Sequence, residues 1–116
     1  MKPRLKALAV LIAPLFLAFA NQPVAQADDV EDQFTDAIAR WNEVGGQIPG
    51  TPSDWLKAAN TVCEGTAELQ AGGVNPLDAL DMQARAAVAG GWFKRDAFHF
   101  VVSSINSFCP ELRPGG

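Results

Sequence analysis

The first 27 residues constrain the remainder of this chain more than any other stretch. Met1 to Lys6 carries three basic side chains, Ala7 to Ala20 is apolar, and Val24-Ala25-Gln26-Ala27 ends in a small-x-small pattern. A basic lead, a short apolar run and a small-residue exit form the layout of a secretory signal peptide. A retained membrane span needs about 20 apolar residues. Here Pro14 interrupts a shorter run, and Asn21-Gln22-Pro23 follows it. The sequence therefore predicts cleavage between Ala27 and Asp28, leaving one domain over 28–116 and no stable membrane anchor. The absence of an adjacent arginine pair favours the general secretory route over the twin-arginine one. The expected destination is the cell envelope or the extracellular space.

Removing residues 1–27 changes the charge balance. The full chain has a formal charge of −4, with 9 basic and 13 acidic side chains. All the carboxylates lie after Ala27 and only six basic residues do, so the predicted mature domain of 89 residues carries −7. An acidic domain does not favour nucleic acid or anionic membrane surfaces as partners. At this size a hydrophobic core alone is marginal, and exported domains commonly add a covalent staple. Cys63 and Cys109 are the only cysteines. Two free buried thiols, an intermolecular bridge and half of a metal site compete with an internal bridge. An oxidising compartment favours the Cys63–Cys109 disulfide. Metal binding is the weakest reading, because His99 is the only histidine and no Cys-x-x-Cys spacing exists.

Apolar periodicity predicts an all-α fold, a small four-helix domain. Val30, Phe34, Ala37, Ile38 and Trp41 recur at helical spacing, giving a first helix over about 29–43 with Asp28, Asp29, Glu31 and Asp32 at its start. The bland reading of this acidic cluster is helix capping and solubility, since no EF-hand-like spacing accompanies it. Gly45 to Gly50 is a loop. Thr51-Pro52-Ser53-Asp54 supplies a cap, a proline and an acid for a second helix, whose inward face is Trp55, Ala58, Ala59, Val62, Thr66 and Leu69 with Cys63 at the margin. Gly65 lets another backbone approach near the disulfide. Gly72-Gly73 stops this helix, and Asn75-Pro76-Leu77-Asp78 starts a third over about 76–89 with Leu77, Leu80, Ala84, Ala87 and Val88 inward and Met82, Gln83 and Arg85 outward.

The fourth helix spans about 94–108 and stops before Pro110. At roughly 100° per residue, Phe98, Val101, Val102, Ile105 and Cys109 share one side, and His99, Ser103 and Asn106 another. His99 is thereby expected outside the main core. Phe100, with Ala97 and Ser104, occupies a third sector that a half-buried helix would not make apolar. Two readings of Trp92, Phe93 and Phe100 compete: a central helix packed on two sides, with Trp92 and Phe93 closing the base of the core, or an exposed or pocket-lining aromatic patch. Packing is the commoner fate of aromatics at helical spacing. The tail over 112–116 has the composition of a flexible end.

Catalytic constellations are missing from the sequence. There is no tyrosine, a single histidine and no glycine-flanked serine nucleophile. Ser103 and Ser107 lie near His99, but on one helix they do not make a nucleophile-base-oxyanion arrangement. The chain is read as a non-enzyme that needs no cofactor.

The mature chain resembles the small secreted mycobacterial and actinobacterial family known as domain of unknown function 732. The resemblance rests on an acidic start followed by Phe34, on Cys63 within Ala-Asn-Thr-Val-Cys-Glu-Gly, and on Phe100-Val101 preceding Phe108-Cys109-Pro110, and it covers about 29–112. It implies an exported, mostly helical domain with one disulfide and transfers no catalytic residue. Phe108 stands where tyrosine is usual, and the stretch from Asn75 to Phe93 is longer than the pattern. The expected function is a secreted, non-catalytic binding or interaction domain with a protein partner. The alternative is a carrier of a small apolar ligand, lipid or haem, in a pocket of Trp92, Phe93, Phe100 and Met82, with His99 as the haem ligand.

Overall fold

The computed structural model describes residues 13–115, with side chains from Asp28 onward. Residues 1–12, the basic lead and the start of the apolar run, lie outside the described residues. The chain forms α1 (Ala13–Glu43), α2 (Pro52–Ala71), α3 (Pro76–Ala89) and α4 (Lys94–Phe108), followed by a short 3-10 turn over Pro110–Leu112. No described helix is long and apolar enough to cross a membrane. The first helix begins earlier than the expected 29. Its backbone runs on through the Ala27–Asp28 junction and past Pro23; the alanines and leucines of 13–20 favour helix, while Pro23 disfavours it without ending it.

The later boundaries follow local chemistry. Thr51 caps α2 through a reciprocal box, its side chain accepting from the Asp54 amide while the Asp54 carboxylate accepts from the Thr51 amide at 2.9 Å. Those bonds hold the Asp54 carboxyl below its usual range, first through the Thr51 backbone and then through its hydroxyl. Asn75 caps α3 by accepting from the Asp78 amide at 2.9 Å, while its side-chain NH2 donates to the Asp78 carboxylate at 2.8 Å. Both helices end on paired glycines whose second member takes a left-handed conformation, Gly73 at φ +99° and Gly91 at φ +105°. The following amides, of Val74 and Trp92, reach back five residues to the carbonyls of Leu69 and Ala87, which is the Schellman closure.

The fourth helix is the centre of the bundle and packs against each of the other three. Its Ala97, Phe100, Val101, Ser104 and Ile105 are buried against Phe34 and Ile38 of α1, Ala59 and Val62 of α2, and Leu80 and Ala84 of α3. Ala97 and Ser104 are small, which lets neighbouring helices approach that sector closely. The Ser104 hydroxyl is satisfied by donating to the Phe100 carbonyl at 2.7 Å, and Thr66 does the same to Val62. Cys63 and Cys109 form a disulfide that ties α2 to the end of α4.

Four side-chain placements differ from the sequence expectation. Phe98 is 53% exposed instead of buried with Val101 and Ile105, while Leu77 and Val88 of α3 are 63% and 40% exposed. Angular position on a wheel does not say where the neighbouring axes lie. With helices on three sides of α4, the buried sector shifts toward Ala97 and Phe100 and leaves Phe98 at its edge. Ala37 is likewise exposed, since α1 turns Phe34 and Ile38 inward. What approaches Gly65 is the Gln83 side chain of α3 and not a backbone.

Candidate functional site

Around the start of α4 a group of polar and aromatic side chains joins α1, the 44–50 loop and α4. Asp96, buried at 2% exposure, accepts from the Trp41 indole N–H at 2.8 Å and from the Gln47 amide at 3.0 Å. Those two bonds compensate the cost of placing a carboxylate in the interior. Trp41 is held flat, and His99 stacks on it with ring centroids 3.9 Å apart and planes 10° from parallel. Arg95 sits 5.4 Å from the Trp41 ring centroid and donates to the Gly45 carbonyl at 3.3 Å. Partial burial pushes the His99 pKa below its ordinary value, and the nearby Asp96 charge only partly offsets it.

The loop is tied down by side-chain hydrogen bonds from α1 and α2. Asn42 clasps Ile48 with both amide atoms, and the Trp55 indole donates to the Pro49 carbonyl at 2.9 Å. Gly46 lies against the face of Trp41, where a Cβ would overlap the indole. This rigid wall positions Arg95 and the first turn of α4.

Beside it runs an open groove of about 700 Å³ between α3 and α4. Its apolar surface comes from Ala84, Val88 and Phe98, and its charges from Arg85, Lys94, Arg95 and Asp81. Asp81 is spent on Arg85, one turn along α3, at 2.8 Å. Among the described residues Lys94 has no ion-pair partner. The groove is thus cationic on a chain whose total charge is negative. A shallower hollow of about 320 Å³ adjoins it, bordered by Phe93, Arg95 and the loop at Gly45 and Gln47.

Of the residues singled out by sequence, only Trp92 and Phe100 are brought together. Phe100 is 2% exposed and makes edge contacts with Phe34 and Trp92 at 5.5 and 5.0 Å. Trp92 is therefore part of the core margin. Phe93 is 61% exposed and does not close the base of the core, and Met82 lies exposed on α3. The expected pocket of Trp92, Phe93, Phe100 and Met82 is not assembled, because Phe100 is used up by packing. His99 does lie outside the core, half-buried under Trp41. Sequence reasoning missed Asp96, Arg95 and Phe98. A usable signal was present: all three helices carry an aspartate in the first turn, Asp54, Asp78 and Asp96, but α4 alone places a basic pair, Lys94-Arg95, ahead of it, against the helix dipole.

No family model, no curated protein and no solved structure matches this chain.

Proposed function

We propose that this protein is an exported, non-catalytic binding domain whose recognition site is the α3–α4 groove. The observation that carries the reading is the combination of an open, largely apolar groove with unneutralised cations on its rim. Exposed apolar side chains gathered around such a depression are a common mark of an interaction surface. The groups with catalytic chemistry are otherwise engaged: Asp96 is held by two donors, Asp81 by Arg85, and His99 by the Trp41 ring. Export rests on the basic, apolar and small-residue sequence of 1–27 and on the compatibility of the Cys63–Cys109 bridge with an oxidising compartment. Kinship with the 732 family belongs to the same proposal and rests on its cysteine frame.

Amide chemical-shift mapping against a set of small apolar and amphipathic probes tests the site. Shifts are expected to converge on Ala84, Arg85, Val88, Lys94 and Phe98. Shifts centred elsewhere, or turnover of esters, peptides or glycosides abolished by a single substitution, would reject the reading. Mass analysis of the released protein checks export, with Asp28 expected as its first residue.

A further inference from the structure

We infer that the occupant of the groove is an acidic amphipathic helix of a partner protein, an inference that rests on the groove being the recognition site. Charge is the first argument. Arg85, Lys94 and Arg95 line the groove with one carboxylate, and that carboxylate is paired with Arg85, so the site has net positive charge on an acidic molecule. An acidic ligand is attracted to this rim and repelled by most of the remaining surface. Shape is the second. Carriers of small apolar molecules enclose most of the ligand surface, whereas this groove is open along its side and walled by two helices. An amphipathic helix laying its apolar stripe into an interhelical groove needs that geometry. Asp81 to Val88 covers about two turns of α3, enough to seat apolar anchors at i, i+3 or i+4, and i+7 against Ala84, Val88 and Phe98. Aspartates or glutamates beside those anchors then meet Lys94, Arg95 and Arg85.

The acidic start of the described part of α1 in a second copy does not supply such a helix. Asp28, Asp29, Glu31 and Asp32 lie there, but the apolar Phe34 and Ile38 of the same helix are already buried in their own core. The charge is available there, but the anchors are not.

The test uses the full disulfide-bonded chain and a synthetic helical peptide of about 16 residues, with leucines at i, i+3 and i+7 flanked by glutamates, beside its lysine counterpart. Amide shifts and fluorescence anisotropy are read together. The glutamate peptide is expected to bind with shifts at Ala84, Val88 and Phe98, to weaken as salt rises from about 0.05 to 0.5 M, and to lose about tenfold in affinity with Lys94→Glu. The Arg85→Glu/Lys94→Glu variant, with helical content unchanged by circular dichroism, is expected to prefer the lysine peptide. Equal binding of both peptides to the original chain would overturn the inference. So would groove shifts produced by laurate or by anionic vesicles and not by the glutamate peptide, which would leave the groove as the recognition site with a lipid occupant. Shifts from every probe centred away from α3 and α4 would overturn both.

Discussion

Asp96 is the residue that ties the start of α4 to α1 and to the 44–50 loop. Its two carboxylate oxygens serve different elements, Oδ1 the Trp41 indole of α1 and Oδ2 the Gln47 amide of the loop. Replacing it by asparagine places an NH2 group toward a donor, leaving one buried donor unsatisfied. Asp96→Asn is expected to cost about 2 kcal/mol of stability in urea unfolding and to lower the Trp41–His99 stacking order seen by tryptophan emission. His99 brings a pH dependence of definite sign. Its folded pKa lies below the ordinary 6.5, so the unfolded chain binds more protons and stability rises with pH across that window. Acidification from neutral pH through 6.5 to the folded pKa should therefore lower the unfolding midpoint, and His99→Gln should flatten the profile there.

Among the elements, two glycines with unexceptional backbone angles are expected to behave in opposite ways. A Cβ at Gly46 meets the Trp41 ring, which Asp96 holds in place and which cannot yield without breaking that bond. Gly46→Ala is expected to destabilise by about 2 kcal/mol, as overpacking does. A Cβ at Gly65 meets the tip of Gln83, a flexible side chain that can swing away. Alanine also gains about 1 kcal/mol in helix propensity. Gly65→Ala should thus be close to neutral, and Gly65→Ala/Gln83→Ala should raise stability, both read by thermal unfolding. Element limits were largely legible from the chain. The cap and proline pairs at Thr51-Pro52 and Asn75-Pro76, the double glycines and Pro110 are local signals acting over one helical turn, and α3 and α4 occupy the spans they predict. The start of α1 was not legible, because nothing at Ala27 breaks helix propensity and the nearest breaker, Pro23, does not stop the helix.

For the whole molecule, the disulfide is the largest single constraint. It joins positions 46 apart, a closure that in the chain-entropy model contributes about 4 kcal/mol. A Cys63→Ser/Cys109→Ser variant is expected to lose most of that in chemical denaturation, a large share of the stability of a domain this small. The groove is expected to survive in whatever fraction remains folded, since none of its lining comes from α2 or from the bridged end of α4.

The amino-acid sequence by itself determined the helical class, the number of helices, most of their limits and the one possible cysteine pairing, because each of these is set by propensity, by capping over a few residues or by the count of a residue type. The tertiary structure decided which face of α4 is inside. Periodicity gave Phe98 and Phe100 as neighbouring sectors of one helix; the positions of α1, α2 and α3 around it buried Phe100 and left Phe98 beside Val88 and Lys94. The same packing brought Trp41, Gln47 and His99 to Asp96 and Arg95 across gaps in sequence that no local pattern spans. Burial and cross-chain proximity depend on where helix axes lie, and that is settled only when the whole core closes.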